Sequence, residues 1–278
     1  MLVNLNEVLK DARAKKYAVG LFNTTDTDML QAVIEAAEEL SSPVIIGTAE
    51  ILLPSGDLPL ISPSLLAAAR RSRVPVVLHY DHGLTFPRCM QALQLGYSSV
   101  MFDGSAGDYE QNTADTAEVV RIAHAFGATV EGEIGHVGQA ASCDNDTDDQ
   151  YTKVEEACDY LARTGVDALA VAIGTAHGAY KSKPKLDLVR LSQIRDAIDV
   201  PLVLHGGSGL SDDDFRNAIA NGISKVNIYT DLCLAGIRAM TEGTAAGESY
   251  LAIRDRKVEA IRDEVKKKML LFGSEGRA

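Results

Sequence analysis

The side chains best suited to metal and proton chemistry lie where apolar runs of this sequence stop. Val74 and Val76–Leu78, interrupted only by Pro75, give way to His79, Tyr80, Asp81 and His82, closed by Gly83. An aspartate beside a histidine sets a proton carrier next to a metal ligand. Four further runs end in the same manner, at Asp103 in FDGS (102–105), Glu133 in EGEIG (131–135), His177 in GTAHG (174–178) and His205 in HGGSG (205–209). Three imidazoles with one open position form the ligand set of a catalytic zinc acting as a Lewis acid, and His82, His177 and His205 supply three. Taken singly, each reads as an ordinary hydrogen-bonded histidine; only the shared placement makes a site. His79 points to the opposite side of its run from Tyr80, His124 lies in a helical pattern and His136 in a loop, so these three read as structural.

A second group of residues suits an anion. His205-Gly206-Gly207-Ser208-Gly209 joins an apolar run to a helical segment. Backbone N–H groups exposed in such a turn, a serine hydroxyl and a helix N-terminus together hold a phosphate. Asn227, Ile228, Tyr229 and Thr230 end the next run and add donors.

These residues need a scaffold that gathers distant run ends onto one rim. Eight short apolar runs can be counted, at Tyr17–Phe22, Pro43–Ile46, Val74–Leu78, Ser98–Phe102, Ala128–Ile134, Ala168–Ile173, Pro201–Leu204 and Ile223–Ile228. Segments of helical periodicity separate them, including 64–72, 86–95, 108–126, 152–164, 187–198 and 211–221. Strands alternating with helices at this spacing predict an α/β fold with a parallel sheet, and eight units predict a closed (βα)8 TIM barrel. A doubly wound open sheet is the alternative, disfavoured because no Gly-x-Gly-x-x-Gly follows the first run. Residues 135–150 have no hydrophobic period and read either as a lid or as an ordinary exposed loop. The stretch Ser249 to Phe272 is one long helical pattern of alternating charge, a solvated face or a surface that packs across a neighbouring subunit.

Composition narrows the function classes. The 278 residues carry 27 Lys plus Arg against 39 Asp plus Glu, a net charge of -12 that argues against a nucleic-acid partner. Cys89, Cys143, Cys158 and Cys233 form no Cys-x-x-Cys pair and read as reduced thiols. No stretch reaches the apolar length of a membrane span and the N-terminus has no uninterrupted apolar region, so a cytoplasmic protein with one barrel domain over 1–278 is expected.

The ordered series DH (81–82), FDGS, EGEIG, GTAHG, HGGSG and NIYTD (227–231) resembles the class II, metal-dependent ketose-bisphosphate aldolases over nearly the whole chain, and the tagatose-bisphosphate branch in particular. The resemblance implies a zinc-dependent barrel, a homodimer or homotetramer, that cleaves a phosphorylated ketose into dihydroxyacetone phosphate and an aldehyde. By position it implies zinc on His82, His177 and His205, and a proton at the aldehyde-derived oxygen handled by Asp81. It implies a second cation or an orienting role for Asp103 and Glu133, and contacts to dihydroxyacetone phosphate from Gly178, Gly206, Gly207, Ser208, Asn227, Ile228, Tyr229 and Thr230. Lys225 is not needed as a Schiff-base amine.

Two positions depart from the family pattern. Relatives carry an acidic residue in the loop after the fifth strand where this chain reads Gly138-Gln139-Ala140-Ala141-Ser142, leaving Asp144, Asp146 or Asp148 as substitutes. Relatives also carry Asp-Pro-Arg before the C-terminal helix, its arginine on the distal phosphate, where this chain has Ser249-Tyr250-Leu251. A ketose 1-phosphate substrate is expected on that basis, with Arg254 or Arg256 left to serve a 1,6-bisphosphate. The competing readings are a non-catalytic partner subunit of a sugar-phosphate aldolase, or another metal-dependent barrel enzyme such as a hydrolase.

Overall fold

The computed structural model describes residues 1–52, 57–135, 137–139, 150–178 and 184–278, with the side chains of Gln139 and His177 outside that description. Eight parallel strands close into a barrel: β1 (Val19–Asn23), β2 (Val44–Ala49), β3 (Val76–Gly83), β4 (Ser99–Phe102), β5 (Thr129–Ile134), β6 (Ala168–Val171), β7 (Leu202–Leu204) and β8 (Ile223–Ile228). Each strand pairs with the next in sequence, and β8 returns to β1 with Lys225 opposite Val19 and Asn227 opposite Leu21. Every residue of β1, β2, β5 and β8 is buried, as expected of strands covered by helices on one side and by their own barrel on the other.

Side chains alternate along a strand, so the two faces of the sheet can be read off two separate apolar clusters. Val19, Leu21, Ile45, Val77, Met101, Ala168, Ala170 and Val203 belong to an inner cluster with Leu5, Val8, Leu9 and Ala12 of α1 (Leu5–Lys15). Helix α1 therefore stoppers the N-terminal end of the barrel. Phe22, Ile46, Leu78, Tyr80, Val100, Val130, Val171, Leu204, Val226 and Ile228 belong to an outer cluster against the surrounding helices.

Those helices are α2 (Thr27–Glu39), α3 (Leu58–Arg71), α4 (Phe86–Gln94), α5 (Tyr109–Ala125), α6 (Val154–Thr164), α7 (Leu188–Ala197), α8 (Asp212–Ala220), α9 (Thr230–Ala245) and α10 (Tyr250–Phe272). The first strand starts at Val19 rather than Tyr17, because Tyr17 belongs to the α1 cluster beneath the barrel. Helix α3 begins at Leu58, six residues ahead of the predicted start. Pro59 and Pro63 mimic breakers in sequence, yet Pro59 falls in the first turn, where no N–H is needed, and the helix continues through Pro63 to Arg71. Helix α10 turns Val258, Ile261, Val265, Met269 and Phe272 inward, packing on α9 and α2 of its own barrel. Most of the 135–150 loop, including His136 and Cys143, lies outside the described residues. No helix among the described residues is long and apolar enough to cross a membrane.

Strand β2 passes β3 with Gly47 opposite His79, and a Cβ on Gly47 would sit 1.9 Å from the His79 carbonyl oxygen. Backbone cannot yield there without parting two barrel strands. Gly127→Ala should lower the unfolding free energy by about 1 kcal/mol, from its left-handed backbone alone, since φ is 74° and nothing lies within 4 Å. Gly47→Ala should cost about 3 kcal/mol. Urea unfolding of both variants checks this; equal losses would refute the close-approach argument.

Candidate active site

The inner cluster fills only the lower part of the barrel. Above it the inward positions turn polar: Asn23 on β1, His79 and Asp81 on β3, Glu131 and Glu133 on β5, His205 after β7, and Lys225 and Asn227 on β8. All are buried, His79, Glu131, His205 and Lys225 fully so. Alternation alone would turn His82 outward with Tyr80. Between Tyr80 and Gly83, however, the β3–β4 register slips by one residue, and His82 takes φ 45°. This bulge turns His82 back to the mouth, beside Asp81.

Two rings and three carboxylates then meet. His82 Nε2 and His205 Nδ1 are 2.7 Å apart, with ring planes 82° to one another. Each ring is held from its other nitrogen: His82 Nδ1 lies 2.7 Å from Asp103 Oδ2, and His205 Nε2 lies 2.8 Å from Glu131 Oε1. Asp81 faces the pair, its carboxylate accepting Asn23 Nδ2 at 2.7 Å and Asn227 Nδ2 at 3.0 Å. Candidate ligand atoms of Asp81, His82 and His205 lie within 4.8 Å of one another, as do those of His82, Asp103 and Glu133.

Charge in this space is strongly coupled. Burial alone would push the Asp81 carboxyl up, but His82, Lys225 and His205 outweigh it and hold Asp81 well below the usual carboxylate range. Burial opposes charge on His82 too; Asp81, the Asp103 hydrogen bond and Glu133 prevail and raise it to about 10. Glu133 goes the other way. Burial first, and then the Asp103 charge, push its carboxyl up to about 8. Asp103 remains low despite burial, because His82 and Ser105 bond to it.

Donor chemistry and unmet polar atoms both fit a divalent ion at this place. Imidazole nitrogens whose outer partners are carboxylates are the usual form of metal-binding histidine. Asn23 Oδ1, Asn227 Oδ1, Glu133 Oε2 and Thr175 Oγ1 are buried without a hydrogen-bond partner among the described residues, a cost that a bound ion and a polyhydroxylated ligand would remove. The backbone of His177 lies in a two-residue strand, Ala176–His177, paired with Gly138–Gln139; its side chain, and Asp144, Asp146 and Asp148, lie outside the described residues.

The anion residues adjoin the ring pair. Gly206 has φ 67°, and a Cβ there would meet the Ala176 carbonyl oxygen at 2.4 Å. Ser208 Oγ accepts from Tyr229 N at 3.3 Å and Asp231 N at 3.4 Å, which ties the loop after β7 to the N-terminus of α9. Gly207 packs against the Asn227 carbonyl, and Gly178 takes φ 94°. Ile228 turns its side chain into the outer cluster, so only its backbone is available at the mouth.

Sequence reasoning passed over Asn23, Glu131 and the place of His79. His79 lies inside the barrel, Nδ1 2.7 Å from Ser99 Oγ and Nε2 3.8 Å from Asp81 and 3.9 Å from Glu131. Burial and Lys225 push it down to about 3, which keeps it neutral. The available signal was parity: His79 and Glu131 each precede a candidate residue by two positions in a strand. His124 is remote, pairing with Asp167 at 2.9 Å.

Comparison with known proteins agrees with this geometry. The family model for class-II fructose-bisphosphate aldolase matches residues 3–277. A fructose-bisphosphate aldolase of Thermus caldophilus is 40% identical, covering 100% of both chains. A sulfofructosephosphate aldolase of Alkalicoccus urumqiensis is 37% identical over 98% of this chain and 96% of its own. The crystal structure of the YdjI aldolase from Escherichia coli K12 superposes with a TM-score of 0.89 at 36% identity, covering 100% of both chains. These relatives are named for different sugar phosphates, so the matches fix a family and not the tagatose branch.

A raised folded-state pKa means that the folded chain holds its proton more tightly than the unfolded one. Glu133, near 8, therefore contributes stability below the ordinary glutamate range and loses it as pH rises through about 8; His82, near 10, adds a loss of the same sign at higher pH. Buried His79, pushed down to about 3, and His205, also lowered, add a rise of opposite sign that ends near pH 6.5. The melting midpoint of the metal-free protein should therefore fall between about pH 6.5 and 9, and Glu133→Gln should remove about half of the fall below about pH 8, the rest belonging to His82. Thermal melts across that range measure it; an unchanged slope in the variant would contradict the assignment to Glu133.

Proposed function

The chain belongs to the class-II fructose-bisphosphate aldolase family, carbon–carbon lyases, and we propose that it is a zinc-dependent aldolase cleaving a ketose 1-phosphate to dihydroxyacetone phosphate and an unphosphorylated aldehyde. The observation that carries the reading is the meeting of the His82 and His205 nitrogens at 2.7 Å beside a carboxylate that two asparagine amides hold in place. His82, His205 and His177 would hold the zinc. Bound there, it supplies a Lewis acid for the carbonyl end of the substrate.

The remaining work falls to the chain's own groups. Asp81, kept deprotonated, accepts the hydroxyl proton of the departing aldehyde as the carbon–carbon bond breaks; the electron pair of that bond passes to the triose fragment, whose carbon then takes up a proton to give dihydroxyacetone phosphate. Asn23 and Asn227 orient that carboxylate, and their unpartnered oxygens accept from substrate hydroxyls. Gly206, Gly207 and Ser208, with Gly178, the Asn227–Thr230 turn and the N-terminus of α9, bind the phosphate of the triose. Asp103 orients His82, and Glu133 with Asp103 offers the place for a second cation. We further propose one barrel domain over 1–278, acting in the cytoplasm as a homodimer or homotetramer. Free thiols at Cys89, Cys158 and Cys233 support the reducing compartment.

Support for an unphosphorylated aldehyde comes from the first turns of α10. By the resemblance read from the sequence, Leu251 takes the place of the family's distal-phosphate arginine. Arg254 is engaged by Asp28 at 2.9 Å and Gln31 at 2.6 Å, and Arg256 by Glu248 and Glu242. Neither guanidinium is without a carboxylate.

Two outcomes are expected. Retro-aldol activity, followed as dihydroxyacetone phosphate, should vanish with a chelator and return with added zinc; activity unaffected by complete metal removal would end the zinc reading. In kinetics with one sugar in both forms, kcat/KM should favour the ketose 1-phosphate over the 1,6-bisphosphate by at least about tenfold, the order of one lost or gained phosphate contact. A large preference for the bisphosphate would overturn the assignment of the aldehyde.

A further inference from the structure

We propose that Glu131 and Lys225 are positioning residues for His205: together they keep its proton on Nε2 and so reserve Nδ1 for the metal. In its consequence for zinc affinity this rests on the reading above, though the geometry stands apart from it. A neutral imidazole carries one proton on either of two nitrogens, and a ring at an open barrel mouth can offer either. His205 has no such choice. Its Nε2 lies 2.8 Å from Glu131 Oε1, and an ionised carboxylate only accepts, so Nε2 must donate and Nδ1 is left without a proton. Nδ1 is the atom that meets His82 Nε2.

The lock holds only while Glu131 is ionised, and Glu131 is fully buried. Its other oxygen, Oε2, accepts from Lys225 Nζ at 2.6 Å, and Lys225 is also fully buried. Residues 131, 205 and 225 are contributed by β5, the end of β7 and β8, all at inward positions, so Lys225 reaches under the His205 ring to the carboxylate beyond it. The lysine is thus the countercharge that makes the carboxylate an acceptor. Pairing also removes Lys225 from amine chemistry, since Schiff-base formation needs a neutral, reachable nitrogen. His82 is set in the opposite sense, Nδ1 on Asp103 and Nε2 inward. Asp103 sits at the rim, whereas the Glu131–Lys225 pair lies wholly inside.

Substitution gives an opposing pair of results. In Glu131→Gln, the Lys225 ammonium takes the amide oxygen and leaves the amide NH2 facing His205 Nε2. That nitrogen must then accept, and the proton moves to Nδ1, the wrong side. In Glu131→Gln combined with Lys225→Met, the amide oxygen is released to face Nε2, and the original tautomer returns. Long-range 1H–15N correlation spectra of histidine-labelled, metal-free protein read the tautomer directly, and chelator competition reads zinc affinity. Expected are an Nε2–H ring in wild type, an Nδ1–H ring with zinc binding weakened about 10- to 100-fold in Glu131→Gln, and recovery of the ring state with at least part of the affinity in the double variant. An Nδ1–H ring in the wild type would overturn the proposal. So would zinc affinity in Glu131→Gln within about twofold of wild type, or a double variant weaker than the single, as additive structural damage would give. A wild type with the Nε2–H ring that takes up no zinc would sink the zinc reading while upholding the lock.

Discussion

The closed parallel barrel imposes one constraint from which the rest follows: on every strand, alternate residues must enter an interior that is filled by apolar side chains below and by buried polar ones above. Valine, leucine and isoleucine fill the lower inward positions with α1 beneath them. Further along β1, β3, β5, β7 and β8 the same side of the chain delivers Asn23, His79, Asp81, Glu131, Glu133, His205, Lys225 and Asn227. One strand needs an exception, because Asp81 and His82 are neighbours and alternation would part them. A single extra residue on β3, taken up at His82 with φ 45°, reconciles the two. The strain of a left-handed non-glycine residue, of order 1 kcal/mol, is held by the pairing on both sides of it.

What was legible in the sequence and what was not divides along this constraint. Apolar runs that stop at Asp, Glu or His advertise the barrel mouth, because an interior strand has no other reason to end in charge. The HGGSG turn advertised close backbone approach, and Gly206 meets the Ala176 carbonyl at 2.4 Å if given a Cβ. Glu131 was invisible as more than a strand residue, since its meaning depends on Lys225 and His205, 94 and 74 residues away. The β3 bulge has no local signature either; only the phase of its neighbours reveals it. At α3 the prolines misled, because their cost depends on which turn of the helix they occupy.

Helix α10 shows how a charged surface serves the fold. Lys257 reaches Asp26 at 2.7 Å, and Arg254 reaches Asp28. Asp26 is itself the N-cap of α2, accepting from Asp28 N and Met29 N. Basic residues of α10 are therefore engaged in fastening it to the start of α2, next to the loop that follows Asn23. Each half-exposed pair contributes only about 0–1 kcal/mol, so their number matters more than any one of them. Their effect on function is indirect: the loop after β1, and with it the amide that orients Asp81, is fixed from outside.

The buried charge is the least favourable part of this molecule on stability grounds and therefore the most informative. A lysine and a glutamate taken wholly out of water gain little stability over apolar residues of like shape, while loss of one partner costs about 3–5 kcal/mol. Stability alone gives no reason to bury Lys225 and Glu131 where the neighbouring inward positions are valine and alanine. Nor does direct substrate contact, because both lie beneath the ring of His205. What an apolar pair could not do is accept a hydrogen bond from Nε2. The cost of the ion pair is thus explained by the nitrogen it leaves unprotonated on the other side of the ring, and the interior of the barrel and the chemistry at its mouth become one electrostatic arrangement.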